Sequence, residues 1–179
     1  MRKWTMEELN RLSPKAFKDS IKTTIILVLD NIRSRNNVGA IFRTADAFRI
    51  EEIILCGITP NPPHKDIHKT ALGSTETVSW RHAISTADTI NELKKLNYNC
   101  YAVEQVKGAA FLDDISIPST QKAVLVLGNE VKGVSQDVVK ACGAAIEIPQ
   151  IGTKHSLNVA TSAGIVIWHF FTKLRPTEH

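Results

Sequence analysis

At 179 residues the chain is long enough for one sizeable core and too short for two ordinary domains, so catalysis and partner binding must share one folded unit. Hydrophobic residues at 43% and charged residues at 22% sit near globular averages, and no run approaches the roughly 18 to 20 apolar residues of a membrane span. With 22 Lys and Arg against 18 Asp and Glu the net charge is +4, which suits a polyanionic partner and fits a slightly basic enzyme equally well.

The N-terminus, MRKWTMEELN, carries charge with no apolar core behind it, so neither a secretory signal nor a transit peptide is expected and the cytoplasm is the default location. Thr5 and Glu8 have the spacing of a capping box, and Ser13-Pro14 starts a second short helix. Residues 1–23 therefore read as a helical extension, with docking, contact with a polyanionic partner and simple packing all open to it, ahead of a main domain over 24–179. Apolar, β-rich runs follow at 24–29, 52–56, 77–80, 99–103, 123–127 and 144–148, alternating with helical patterns. Runs such as IILVL and AVLVL are apolar without alternation, as strands covered on both faces are. The expected fold is α/β, a mostly parallel sheet flanked by helices. ITPNPPHKD reads as a long surface loop. Near the end, Val159, Ala163, Val166, Ile167, Phe170, Phe171 and Leu174 make one helical stripe, which is core or dimer interface.

Three polar segments could carry chemistry. SRNNVGAIFRT, from Ser34 to Thr44, follows the first strand and opens a helix whose buried stripe is Val38, Ile41, Phe42 and Ala45. Arg43 points away from that stripe, and its neighbours one turn away, Gly39, Ala40 and Ala47, leave room for a close partner. Free amides at the helix start, flanked by Arg33 and Arg35, would attract phosphate; an exposed arginine beside a solvated basic loop accounts for the same residues. VLVLGNEVKGVS runs from an apolar strand into a turn bracketed by Gly128 and Gly133, where parallel sheets bind ligands. Val134 and Ser135 stand where a P-loop requires Lys and Ser/Thr, and no GxGxxG follows a strand, so ATP hydrolysis and a dinucleotide site are disfavoured. IPQIGTKHSLN precedes the last helix; Ser156 is placed to cap it, leaving Asn158 as an unexplained polar group in the first turn.

Other candidates are weaker. His64 and His68 are four apart, but HKDIH lacks the Glu of a zincin helix, so solvated histidines are expected and no metal is assigned. Cys56, Cys100 and Cys142 form no CxxC pair and read as buried thiols. Lys65, Lys69 and Arg81 could extend a phosphate-contacting surface or simply be solvated.

Taken together, NVGAIFRTADAF, LGNEVKG and IPQIGTKHSLNVA resemble, in order and spacing, the three motifs of the SpoU/TrmH RNA methyltransferases of the SPOUT superfamily, over roughly 24–172. Gln150 departs from the Met common there, and no separate RNA-binding domain accompanies the motifs. The resemblance implies transfer of a methyl group from S-adenosylmethionine to a ribose 2′-hydroxyl of tRNA or rRNA, with tRNA slightly favoured. It also implies a C-terminal trefoil knot and a homodimer with the active site at its interface. By the same resemblance, Leu127, Gly128, Asn129, Ile148 and Leu157 bind the cofactor, and Asn37, Arg43, Glu130, Ser156 and Asn158 form the catalytic side. Arg33, Arg35, Lys65 and Lys69 are the candidate RNA contacts. A catalytically silent RNA-binding protein of the same fold is the alternative.

Overall fold

The computed structural model describes residues 1–5 and 7–176; the last three positions of the expected 24–179 domain lie outside the described residues. The strands are β1 (Thr23–Asp30), β2 (Ile50–Cys56), β3 (Trp80–Ala83), β4 (Asn99–Val103), β5 (Ala110–Phe111), β6 (Ala123–Leu127) and β7 (Ala145–Glu147). They form one seven-stranded sheet in the order β3-β2-β1-β6-β4-β7-β5, and every pairing among them is parallel. The helices are α1 (Pro14–Asp19), α2 (Arg35–Ala47), α3 (Lys65–Ala71), α4 (Ser74–Thr77), α5 (Thr86–Lys95), α6 (Gln136–Cys142) and α7 (Val159–Leu174).

The unalternating runs are buried for the expected reason. On one face Ile25, Leu27 and Leu29 of β1 join Leu125 and Leu127 of β6 under α2 and α7. On the other, Ile26, Val28, Val124 and Val126 meet Ile90 and Leu93 of α5 and Val138 and Cys142 of α6. Each such side chain contributes about 1.5–3 kcal/mol on removal from water. Among the described residues, no helix is long and apolar enough to cross a membrane.

Several elements differ from expectation. The run at 77–80 is not a strand: Thr77 ends α4, where its hydroxyl donates to the Asp46 carboxylate and to Ser74 O, and β3 begins only at Trp80. The apolar signal there came from Val78, buried between the two elements. β5, two residues long, was not expected. The capping box forms, with Glu8 N donating to Thr5 Oγ1 (3.3 Å) and Thr5 N to Glu8 Oε2 (2.8 Å), but it closes a turn; the helix of this extension is α1, capped by Ser13. The Pro/Asn-rich loop is shorter than read, because His64 caps α3 by accepting from Asp66 N at 3.2 Å.

Two corrections bear on assembly. The small surface near Arg43 is already filled in part: a Cβ on Gly39 would lie 2.0 Å from Thr70 Oγ1 and 2.4 Å from Ile67 O, so α3 takes the close approach that had been left for a partner. The stripe on α7 is also divided. Val159, Ala163, Val166, Ile167, Phe170 and Leu174 are core, whereas Phe171 is half-buried, stacked at 5.0 Å on Phe48, and Trp168 is 56% exposed.

All three cysteines are free and buried. Burial pushes the Cys56 thiol up, Cys100 up to about 11 and Cys142 up to about 12. At pH 7 the thiolate fraction of Cys100 is then of order 10⁻⁴. The native protein is expected to resist a thiol reagent such as dithionitrobenzoate and to release three equivalents only on unfolding; a prompt native equivalent would contradict this burial.

Candidate active site

Beyond the carboxyl ends of β4, β6 and β7 lies a cavity of about 510 Å³. It is lined by Leu127, Gly128, Asn129 and Glu130 after β6, by Ile148 after β7, and by Ser156, Leu157 and Asn158 before α7. The two later motif segments, separated in the chain by α6 and β7, therefore meet. The position follows from a parallel sheet, whose carboxyl ends open into crevices between successive crossovers.

The loop after β6 holds itself closed. Asn129 N donates to Gly133 O (3.1 Å) and Gly133 N returns to Asn129 O (2.8 Å). Gly128 must be glycine for this crossing, since a Cβ there would lie 2.2 Å from both Gly133 C and Val134 N. The Asn129 carboxamide is consumed by scaffolding: Oδ1 accepts from Val131 N and Lys132 N, and Nδ2 donates to Asn31 O at 2.7 Å, tying the loop to the end of β1.

Glu130 reaches to the start of α2. Its oxygens accept from Arg33 N (3.0 Å), Ser34 N (2.9 Å) and Asn37 Nδ2 (3.0 Å). Partial burial alone would raise its pKa, but the amides of Arg33, Ser34 and Glu130 itself, with Asn37, together hold it below the ordinary carboxylate range. The anion position expected for an RNA phosphate at this helix start is thus partly taken by the chain's own carboxylate; Ser34 caps the helix through Asn37 N. From Asn37 the network continues, as Oδ1 accepts from Asn158 Nδ2 at 3.2 Å.

Asn158 in turn caps α7, its Oδ1 accepting from Ala160 N (2.9 Å) and Thr161 N (3.3 Å). This corrects the expectation that Ser156 caps that helix with Asn158 inside it. α7 begins at Val159, two residues too late for Ser156, and asparagine is as good an N-cap as serine. Ser156 is exposed on the cavity wall. The chain Glu130–Asn37–Asn158 thereby joins all three motif segments.

Arg43 is exposed, outside the cavity lining, and has no hydrogen bond or ion pair among the described residues. Six residues along α2 from Asn37, it stands about 9 Å further down the helix axis. Arg33, Arg35, Lys65 and Lys69 are all exposed; the first two flank the start of α2 and the others lie on α3, which packs against α2. No group of three or more metal-ligating side chains converges among the described residues. Glu104, just after β4, was missed by the motifs; its Oε2 accepts from Val134 N at 2.8 Å. Its position, an acidic residue directly after an expected strand of a parallel sheet, was the available signal.

The Glu130 clamp gives a pH prediction. A carboxylate whose folded pKa lies below its ordinary value of 4.5 adds stability that is complete above that value and lost as pH falls through the lower folded one. The melting-temperature advantage of wild type over Glu130→Gln should therefore shrink steadily below about pH 4.5. A constant difference down to strong acid would show that the charge of Glu130 stabilises nothing.

The geometry describes an α/β domain with two motif loops lining one cavity and the third bound to them through Asn37. The model of the SpoU rRNA Methylase family matches residues 24–168, and the chain belongs to that family. It is 32% identical over 144 residues to the 23S rRNA (guanosine-2'-O-)-methyltransferase RlmB of Neisseria meningitidis serogroup B, covering 80% of this chain and 56% of that protein. It is 33% identical over 153 residues to an uncharacterized tRNA/rRNA methyltransferase of Borreliella burgdorferi, covering 86% and 66%. The chain thus spans little more than half of the RlmB relative. Among solved structures, the AdoMet-bound rRNA methyltransferase from Sinorhizobium meliloti superposes with a TM-score of 0.79 at 28% identity, covering 93% of this chain and 62% of that one. The A. aeolicus TrmH/SpoU tRNA modifying enzyme, at 24% identity and a TM-score of 0.78, covers 89% and 81% and shares the fold.

Proposed function

We propose that the chain is an S-adenosylmethionine-dependent RNA 2′-O-ribose methyltransferase that works in the cytoplasm as a homodimer, with 24–179 as the catalytic domain and 1–23 as an extension. The observation that carries this reading is the cavity lined by the two later motif segments, whose Glu130 and Asn158 are joined through Asn37 to the first. The AdoMet bound in the S. meliloti relative supports the choice of cofactor. The trefoil threading of the C-terminal segment belongs to the same reading.

The residues present fit that cofactor. Leu127, Ile148 and Leu157 offer apolar contact for an adenine, and Gly128 lets the backbone approach it. When bound, S-adenosylmethionine supplies an electrophilic methyl group. The chain's part is alignment and handling of the hydroxyl proton. Asn158 and Ser156 lie at the cavity wall nearest α7, and Asn37, braced from both sides, holds that wall to α2. Arg43 is assigned to the incoming ribose. A guanidinium is a poor base because its delocalised charge is not readily given up, so its role is to grip the adjacent phosphate and polarise the hydroxyl. Because Arg43 lies outside its own cavity, a second copy supplies it, docking through the edge of α7 at exposed Trp168 and half-buried Phe171.

The substrate is structured RNA, contacted by Arg33, Arg35, Lys65 and Lys69. Either tRNA or rRNA fits such a contact surface, and the name of the RlmB relative speaks for 23S rRNA. Mass spectrometry of nucleosides from separated tRNA and rRNA of a deletion strain tells them apart. Calorimetry with S-adenosylmethionine is expected to show one site per chain, and light scattering a dimer. No binding at millimolar cofactor, or a fully active monomer, would overturn the corresponding part of the proposal.

A further inference from the structure

Besides Glu130, the cavity is lined by two carboxylates that no motif marks, Glu104 and Glu147, and Glu104 is the one braced against the glycine-bracketed loop. Glu104 follows β4 directly, and its amide donates to Ile146 O of the neighbouring strand at 3.0 Å. Its Oε2 accepts from Val134 N at 2.8 Å and its Oε1 from Gln105 N at 2.9 Å. Gly133 makes room for it: a Cβ there would lie 2.0 Å from Oε2. The side chain is therefore pinned between a strand end and the glycine-bracketed loop, half-buried, on the cavity wall with Leu127 and Ile148.

An ionised carboxylate has about four lone-pair positions, and the two amides occupy two. Each oxygen keeps one for a ligand. Two hydroxyls on adjacent carbons can reach the two oxygens of one carboxylate, and acidic side chains near strand ends bind ribose hydroxyls in this way in other parallel α/β sheets. Glu130 is less suited, since its oxygens already take three donors and turn toward α2.

We propose that Glu104 binds the ribose hydroxyls of the nucleoside ligand in this cavity, while a lone pair of Oε2, accepting from Val134 N, holds the loop over 128–134 in place. The proposal rests on the reading of the cavity as the S-adenosylmethionine site. Calorimetry with S-adenosylhomocysteine and its 2′-deoxy and 3′-deoxy analogues tests it on wild type, Glu104→Gln and Glu104→Ala. For wild type, removing a hydroxyl should weaken binding about tenfold or more, as for a hydrogen bond to a charged group. In Glu104→Ala the parent ligand should weaken and the deoxy penalty should vanish. Glu104→Gln keeps one neutral acceptor and should show an intermediate penalty, so it carries the test if the alanine variant does not fold. Equal deoxy penalties in wild type and variants would overturn the role of Glu104 alone. If wild type binds none of the three ligands, the reading of the cavity fails and the proposal with it.

Discussion

Replacing Arg43 with alanine is expected to abolish measurable methyl transfer, a loss of at least about 10³-fold, while S-adenosylmethionine binds as before. Arg43 lines no part of its own cavity and, among the described residues, has no hydrogen-bond or ion-pair partner, so truncating it removes no brace from the cofactor loops. Its charge is free for an RNA phosphate, where it would act only once substrate is bound. Arg43→Lys should recover a small part of the activity, since an ammonium keeps the charge and loses the planar fork. Single-turnover transfer measured beside calorimetry separates the two quantities. Near-normal turnover in the alanine variant would remove Arg43 from the site.

The second large effect is expected at Gly128. Its Cβ would meet backbone on the far side of the loop, Gly133 C and Val134 N, each at 2.2 Å, and no flexible side chain can yield. Gly128→Ala must push the loop off its crossing. A strain of about 1–3 kcal/mol in fold stability should follow, with cofactor affinity falling by about a hundredfold as the loop shifts. Gly152 is the control, because a Cβ there meets nothing within 4 Å, and Gly152→Ala should leave both quantities unchanged. A Gly128→Ala variant that binds cofactor like wild type would show that the closed loop is not part of the binding surface.

These two residues were visible in the sequence because local patterns mark them: a glycine after an apolar strand, and an arginine facing away from a helical stripe. The same holds for the buried stripe of α2 and for β4 and β6, which fall where their apolar runs place them. What stayed hidden depends on contacts distant in the chain. Gly39 was read as open space because nothing local announces that α3 returns to cover it. Asn129 lines the cavity, but nothing local shows that its carboxamide bonds to Asn31, 98 residues away, and to its own loop. Ser156 and Asn158 are both competent caps, and only the start of α7 decides between them. β5 is too short to leave a pattern.

The all-parallel sheet has a kinetic consequence. No strand in it can pair with its neighbour through a tight hairpin, and the central seam between β1 and β6 joins segments separated by four intervening strands of sequence. Closing such distant contacts costs chain entropy before they reward it, so this domain belongs among the slow folders, at milliseconds to seconds. The loop after β6, which walls the cavity, is tied across that seam by Asn129 Nδ2 donating to Asn31 O, so the wall is completed only after the seam closes. A ligand held there consequently acts on the unfolding rate, slowing the opening of a finished protein and leaving the rate of its first assembly nearly untouched.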